Sequence, residues 1–125
     1  MPLVRLTFAR DRSPEETRAL ADGVYDAMRS VFAVPENDRF IVVERPRDGD
    51  LDVDPHYPEM TRSADLVIVQ ITCNDTRTVE QKKALFAAIA ETFGRCGVGP
   101  DDVFVNIVEV KKENWSFGRG IAQYA

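Results

Sequence analysis

The second residue of the chain is a proline, and a proline at a free N-terminus is a secondary amine. That chemistry requires removal of Met1, which the small, constrained side chain at position 2 permits. With Met1 in place the Pro2 nitrogen is a tertiary amide with no basic lone pair. Once freed, it starts from a reference α-amino pKa of about 7.7–8.0. Burial and a nearby guanidinium would both oppose the ammonium form; a downward shift of one to two units, about 1.4–2.7 kcal/mol, leaves a neutral general base at physiological pH.

Other reactive side chains are sparse. His56, the only histidine, lies beside Tyr57 with neither a metal cluster nor a nucleophile to pair with, so a solvated or locally hydrogen-bonded role is expected. Cys73 and Cys96 are too few for a disulfide framework and match no zinc spacing; both are read as reduced, small and buried, and nothing flanking Cys73 marks a low-pKa thiol. A formal net charge of -5, with acidic and basic residues interspersed, leaves no basic stripe of the kind that tracks phosphates. Nucleic acid is therefore not an expected partner. A small anionic substrate needs a few arginines that reverse the sign of the field inside a pocket.

The elements that must position these groups come from a duplication. Shifting the 125-residue chain by 65 positions superposes Val4 on Val69, Thr7 on Thr72, Arg12 on Arg77, Glu15 on Glu80, Ala19 on Ala84 and Leu20 on Leu85. After the helices the shift becomes 64, pairing Val34 with Val98, Asp38 with Asp102 and Phe40 with Phe104. Ser13-Pro14-Glu15-Glu16 reads as a helix start, with Ser13 as N-cap, Pro14 at the first helical position and Glu16 closing a capping box; Thr78-Val79-Glu80-Gln81 repeats the logic. Leu20, Val24, Ala27, Met28 and Val31 form an apolar stripe at helical spacing, as do Leu85, Ile89, Phe93 and Cys96.

Strand-like runs precede each helix, Leu3 to Phe8 and Leu66 to Thr72, and follow it, Arg39 to Val43 and Val103 to Val110. Each half is thus β-α-β with parallel strands. The fold class is α+β, two β-α-β repeats forming a four-stranded sheet with two helices on one face. Repeat one runs over about 2–45 and repeat two over about 65–110, with a C-terminal segment 111–125. They are joined by a loop of about 46–62 rich in Asp, Pro and Gly. The whole is one domain. The run from Leu66 to Ile71 is nearly apolar on both faces while helices cover one, so a homo-oligomer is expected. The start lacks an apolar leader and no run approaches membrane-spanning length, so the expected location is cytoplasmic, without a membrane.

Four features together resemble the tautomerase superfamily, and within it the malonate semialdehyde decarboxylase-like branch: the Met-Pro-Leu-Val start, the two repeats, Val34-Pro35-Glu36-Asn37-Asp38-Arg39-Phe40, and Trp115-Ser116-Phe117-Gly118-Arg119-Gly120. The resemblance implies a homotrimer whose active sites surround the N-terminal proline near subunit boundaries, with no cofactor. In the decarboxylase pattern, an aspartate before an Arg-aromatic pair and two arginines ahead of the second helix assist the proline. Here Pro2, Asp38 and Arg77 match that pattern, and Asn74 stands where the other arginine is expected, in a loop one residue longer.

For a 2-oxo acid, such a base moves a proton between carbon and oxygen while Arg77 grips the carboxylate and Asn74 donates a neutral hydrogen bond to the same oxygen region. Each residue also has a plainer reading. Arg77 can be a local cap contact, since Arg12 occupies the same point of the first repeat, and Asn74 an ordinary loop amide. Asp38 orients water or favours the protonated amine, or, like Asp102, serves the turn into a strand. Trp115 and Phe117 wall the pocket or simply pack. Arg119, between two glycines, is read as a loop cation rather than a second anion contact. The leading function is a tautomerase of small 2-oxo or enol acids; the alternatives are decarboxylation of a 3-oxo acid and a noncatalytic binding oligomer on the same fold.

Overall fold

Both helices are set by their first turns. Ser13 Oγ accepts from the Glu16 N–H at 3.1 Å while Glu16 Oε1 accepts from the Ser13 N–H, and Thr78 and Gln81 repeat that reciprocal pair. Two of the four orphan donors at each helix start are thereby satisfied. The computed structural model describes residues 2–125. Its elements are β1 (Leu3–Phe8), α1 (Pro14–Phe32), β2 (Ile41–Glu44), β3 (Val67–Asn74), α2 (Val79–Arg95) and β4 (Val103–Val110), with single 3-10 turns at Pro100–Asp102 and Lys112–Asn114.

The sheet order is β2-β1-β3-β4, with β1 parallel to β2, β3 parallel to β4, and β1 antiparallel to β3. This is the expected pair of β-α-β repeats. Strand alternation turns Val4, Leu6 and Phe8, and Val67, Val69, Ile71 and Cys73, toward the helices. There they join Leu20, Val24, Met28, Leu85, Ile89 and Phe93 in one buried cluster. Two helices on one face of the sheet enclose that core.

Cys96 departs from expectation. It is exposed, not part of the α2 stripe, because α2 ends at Arg95 and the chain turns through Gly97 at φ 85, and Val98 takes the buried place instead. Cys73 is buried as expected. The strands also shift by one or two residues: β2 starts at Ile41, since the Pro35–Arg39 segment is a turn, and β3 runs on to Asn74. The opposite face of the sheet is less apolar than the sequence suggested. Val42, Phe104 and Val108 are exposed there, but Arg5 pairs with Glu44 at 2.9 Å and Gln70 with Asn106 at 3.2 Å across neighbouring strands. No helix among the described residues is long and apolar enough to cross a membrane.

The helices cross at Gly23. A Cβ there would lie 2.9 Å from Thr92 Oγ1 and 3.1 Å from Thr92 Cβ, so the missing side chain sets the spacing of α1 and α2. Gly94, near the end of α2, has nothing within 4 Å of a built Cβ and no positive φ. Gly23→Ala should therefore lower stability by about 1–3 kcal/mol despite its better helix propensity. Gly94→Ala should raise it by about 0.5–1 kcal/mol. Urea denaturation of both variants checks the pair, and equal shifts would show that the helices do not meet at Gly23.

Candidate active site

The strand directions bring four chain positions to one end of the sheet. Because β1 is parallel to β2 and antiparallel to β3, the starts of β1 and β2 lie beside the ends of β3 and β4. Pro2 is buried at the head of β1, where Leu3 pairs with Thr72 and the Val4 N–H donates to the Phe40 carbonyl at 2.9 Å. Asn74 closes β3 opposite Val110, Arg77 directly precedes the Thr78 N-cap, and Trp115 and Phe117 follow β4. Pro2, Asp38, Asn74, Arg77, Trp115 and Phe117 thus gather at one end. Met1, whose removal the amine chemistry requires, lies outside the described residues.

Arg77 makes a capping contact, at the end of α1 rather than the local one of its plainer reading. Its Nη2 donates to the Phe32 carbonyl at 3.2 Å at the end of α1, its Nη1 to Thr76 Oγ1 at 3.5 Å, and its guanidinium lies 4.6 Å over the Phe32 ring. A cation at a helix C-terminus is electrostatically favourable. These contacts use two of the five N–H groups of a guanidinium. Arg12, its repeat-mate, is placed differently: its side chain is 2% exposed, and Nη2 donates to the Asp65 carbonyl at 2.6 Å. Burial, and then the neighbouring Arg10, hold the Arg12 guanidinium below its ordinary pKa. Arg12 is sealed into the fold, whereas Arg77 is only half-buried.

Asp38 is half-buried in the turn before β2, with its N–H on the Pro35 carbonyl at 3.2 Å. The next residue pins that turn to α1: Arg39 Nη2 meets Asp22 Oδ1 at 2.6 Å and its guanidinium lies 4.8 Å over the Tyr25 ring. Asp102, the repeat-mate of Asp38, is buried and accepts from the Ser63 N–H at 2.7 Å and the Ser63 hydroxyl at 2.6 Å. It fixes the segment that leads into β3.

Asn74 is 6% exposed, and its Oδ1 accepts from Trp115 Nε1 at 2.8 Å. Trp115 stacks on Phe117 with ring centroids 5.7 Å apart, and Phe117 meets Tyr124 edge-on at 4.9 Å. A cavity of about 230 Å³ opens between Leu3, Phe40, Trp115, Ser116 and Phe117. Leu3 and Phe40 were not singled out from the sequence. The signal for Phe40 was its place in the Asp-Arg-Phe segment, and for Leu3 its position next to Pro2. Arg119 is exposed at φ 61 and does not line the cavity; His56 is exposed, with Nδ1 3.3 Å from the Met60 carbonyl, as expected of a local contact. Burial pushes the Cys73 thiol up, with the positive charge of Arg77 acting against it.

Three larger clefts, of about 430, 630 and 330 Å³, lie at the opposite end of the sheet beside the loop that begins at Pro46. Size does not make them the better site. By the repeat, Ala9 stands there in place of Asn74 and Val67 in place of Pro2, so the proline and the amide have no counterpart at that end.

A profile of tautomerase enzymes matches residues 38–118. The Bacillus subtilis (strain 168) protein named Probable tautomerase YusQ is 34% identical over 124 residues, covering 98% of each chain. A malonate semialdehyde decarboxylase solved with the inhibitor 3-bromopropiolate is 39% identical with a TM-score of 0.90, covering 98% of this chain and 93% of its own. A second malonate semialdehyde decarboxylase, solved as wild type, a proline-to-alanine mutant and an inactivated form, is 32% identical with a TM-score of 0.90 and covers 98% of this chain and 95% of its own. The chain belongs to the tautomerase family of enzymes.

Proposed function

We propose that the chain is a cofactor-independent, cytoplasmic tautomerase of small 2-oxo or enol acids, with Pro2, freed of Met1, as its general acid/base. The carrying observation is that a buried Pro2, the half-buried Arg77 and Asn74 lie at the same end of the sheet as an apolar cavity lined by Leu3, Phe40, Trp115, Ser116 and Phe117. The neutral amine takes the hydroxyl proton of the enol and, as the ammonium so formed, delivers it to the adjacent carbon; in the reverse direction it takes the proton from that carbon and returns it to the carbonyl oxygen. Arg77 grips the carboxylate as a bidentate donor, and Asn74 donates to the oxygen on which enolate charge develops. Leu3, Phe40, Trp115 and Phe117 exclude water and so strengthen both interactions.

Asp38 is assigned through its repeat-mate. Asp102 holds the segment leading into β3, and the equivalent segment of repeat one is the chain's own start. Asp38 accordingly faces the Pro2 amine and favours its protonated form, against burial and Arg77, which favour the free base.

Enol ketonisation of phenylpyruvate should rise with pH through the ionisation of the Pro2 amine. In Arg77→Ala that ionisation should move upward, because a positive charge opposing the ammonium is gone. Rate profiles of both proteins check this, and an ionisation that does not move would separate Arg77 from the amine.

Decarboxylation of a 3-oxo acid is the second reading, favoured by the two decarboxylase structures at a TM-score of 0.90. Asn74, where the decarboxylase pattern has an arginine, argues for the first. The wild type should therefore release carbon dioxide from malonate semialdehyde poorly, and Asn74→Arg should improve that release about 10-fold, or 1.4 kcal/mol of barrier. Efficient decarboxylation with negligible ketonisation in the wild type would reverse the order of the two readings.

The assembly proposed is a homotrimer that covers Val42, Phe104 and Val108 on the helix-free sheet face. Sedimentation equilibrium at micromolar concentration should return three times the chain mass, and a stable monomer would remove any pocket shared between subunits.

A further inference from the structure

An indole N–H can only donate a hydrogen bond. Trp115 Nε1 lies 2.8 Å from the Asn74 side chain, so the atom it meets must be the amide oxygen; a flipped amide would set donor against donor. The Nδ2 group of Asn74 is thereby turned away from the indole, and among the described residues no acceptor takes its protons. Alternation along β1 and β3 sets Leu3 and Asn74 on the same, helix-free face of the sheet, and Leu3 lines the small cavity. The indole is itself braced. Its ring stacks on Phe117, whose N–H donates to Gln123 Oε1 at 3.0 Å while Gln123 Nε2 donates to the Gly118 carbonyl at 3.2 Å, and Tyr124 closes edge-on over Phe117. The chain from Trp115 to Tyr124 is a loop tied to itself with its first residue pressed on Asn74.

We propose that Trp115 is a positioning residue: its indole N–H locks the Asn74 amide with Nδ2 facing the substrate, so that a neutral donor is held ready for the enolate oxygen. The proposal rests on the tautomerase reading and deepens it by giving the C-terminal aromatics a role beyond walling the pocket. Free rotation of a buried amide would offer its oxygen to an oxyanion half of the time, a repulsive contact, and the lock removes that state.

The test uses the full-length wild type, Trp115→Phe, Asn74→Ala and the double variant, with oxalate, a planar dianion shaped like a pyruvate enolate, as probe. Trp115→Phe keeps a six-membered aromatic ring to stack on Phe117 and loses the pyrrole portion with its N–H donor. Trp115 is the only tryptophan, so its single indole N–H cross-peak in a nitrogen-proton correlation spectrum needs no assignment. That cross-peak should shift in Asn74→Ala. Each single variant should bind oxalate about 10-fold more weakly, and the double variant no more weakly than Asn74→Ala. An unmoved cross-peak, unchanged oxalate affinity, additive losses, or no oxalate binding by the wild type would each overturn the lock. Ketonisation of phenylpyruvate enol is measured alongside: its absence, with the coupled oxalate losses intact, would remove the tautomerase reading and leave the lock standing.

Discussion

The antiparallel pairing of β1 with β3 is the contact on which the rest of the molecule depends. Each β-α-β repeat alone has one end where both its strands begin and one where both finish. Pairing Leu3 with Thr72 and Phe8 with Val67 sets the two repeats head to tail, so the beginnings of one meet the finishes of the other. Pro2 and Asp38, from the start of repeat one, thereby meet Asn74, Arg77 and Trp115, from the finish of strands in repeat two. A parallel pairing of the same strands would have left the proline at one end and the arginine at the other.

That geometry creates two equivalent ends, and only one of them carries the proline and the amide on which the proposed acid/base chemistry rests. At the other end, the repeat sets Val67 for Pro2 and Ala9 for Asn74. The two shared residue types, arginine and aspartate, are consumed by the fold there: Arg12 by the Asp65 carbonyl and Asp102 by Ser63. The comparison separates scaffold from function more sharply than either end alone. A guanidinium ahead of each helix and a carboxylate ahead of each second strand are properties of the repeat. Their differing exposure and partners distinguish what each end can do.

How much of this was legible in the sequence follows from the range of the forces involved. The capping boxes at Ser13 and Thr78 act over three residues, so both helix starts could be read directly. Strand alternation is equally local, so four strands with parallel pairing inside each repeat could be read, while the antiparallel meeting of β1 with β3 joins residues up to 69 positions apart and was not. Cys96 was misread because its spacing continued the α2 stripe while the turn at Gly97, one residue later, had already ended the helix. The Trp115–Asn74 bond joins residues 41 positions apart and depends on how the chain folds back after β4, which no local pattern encodes. The role of Arg39 was hidden likewise, since its partner Asp22 sits on the preceding helix.

The proposed site calls on one guanidinium, Arg77, while Arg39 of the same end is held by Asp22, and this bears on which proton or carbon chemistry the site would favour. In a tautomerisation the base gains positive charge as the substrate oxygen gains negative charge, so the step creates its own counterion a few ångströms away. At an effective dielectric of about 20 such a pair is worth about 4 kcal/mol at 4 Å, without any second cation from the protein. A decarboxylation instead moves a charge already present, from the departing carboxylate to the carbonyl oxygen, and generates no new cation; the stabilising charge must be in place beforehand. With Arg77 engaged at the end of α1 and a neutral amide at position 74, the protein supplies little fixed positive charge to that oxygen. On the proposed mechanism, a locked amide in an acidic chain of net charge -5 would stabilise the oxyanion without attracting the carboxylate of a second substrate into the wrong end of the pocket. On that mechanism the carboxylate would seek Arg77, and the orientation of the substrate would follow from the asymmetry between a cation and a neutral amide.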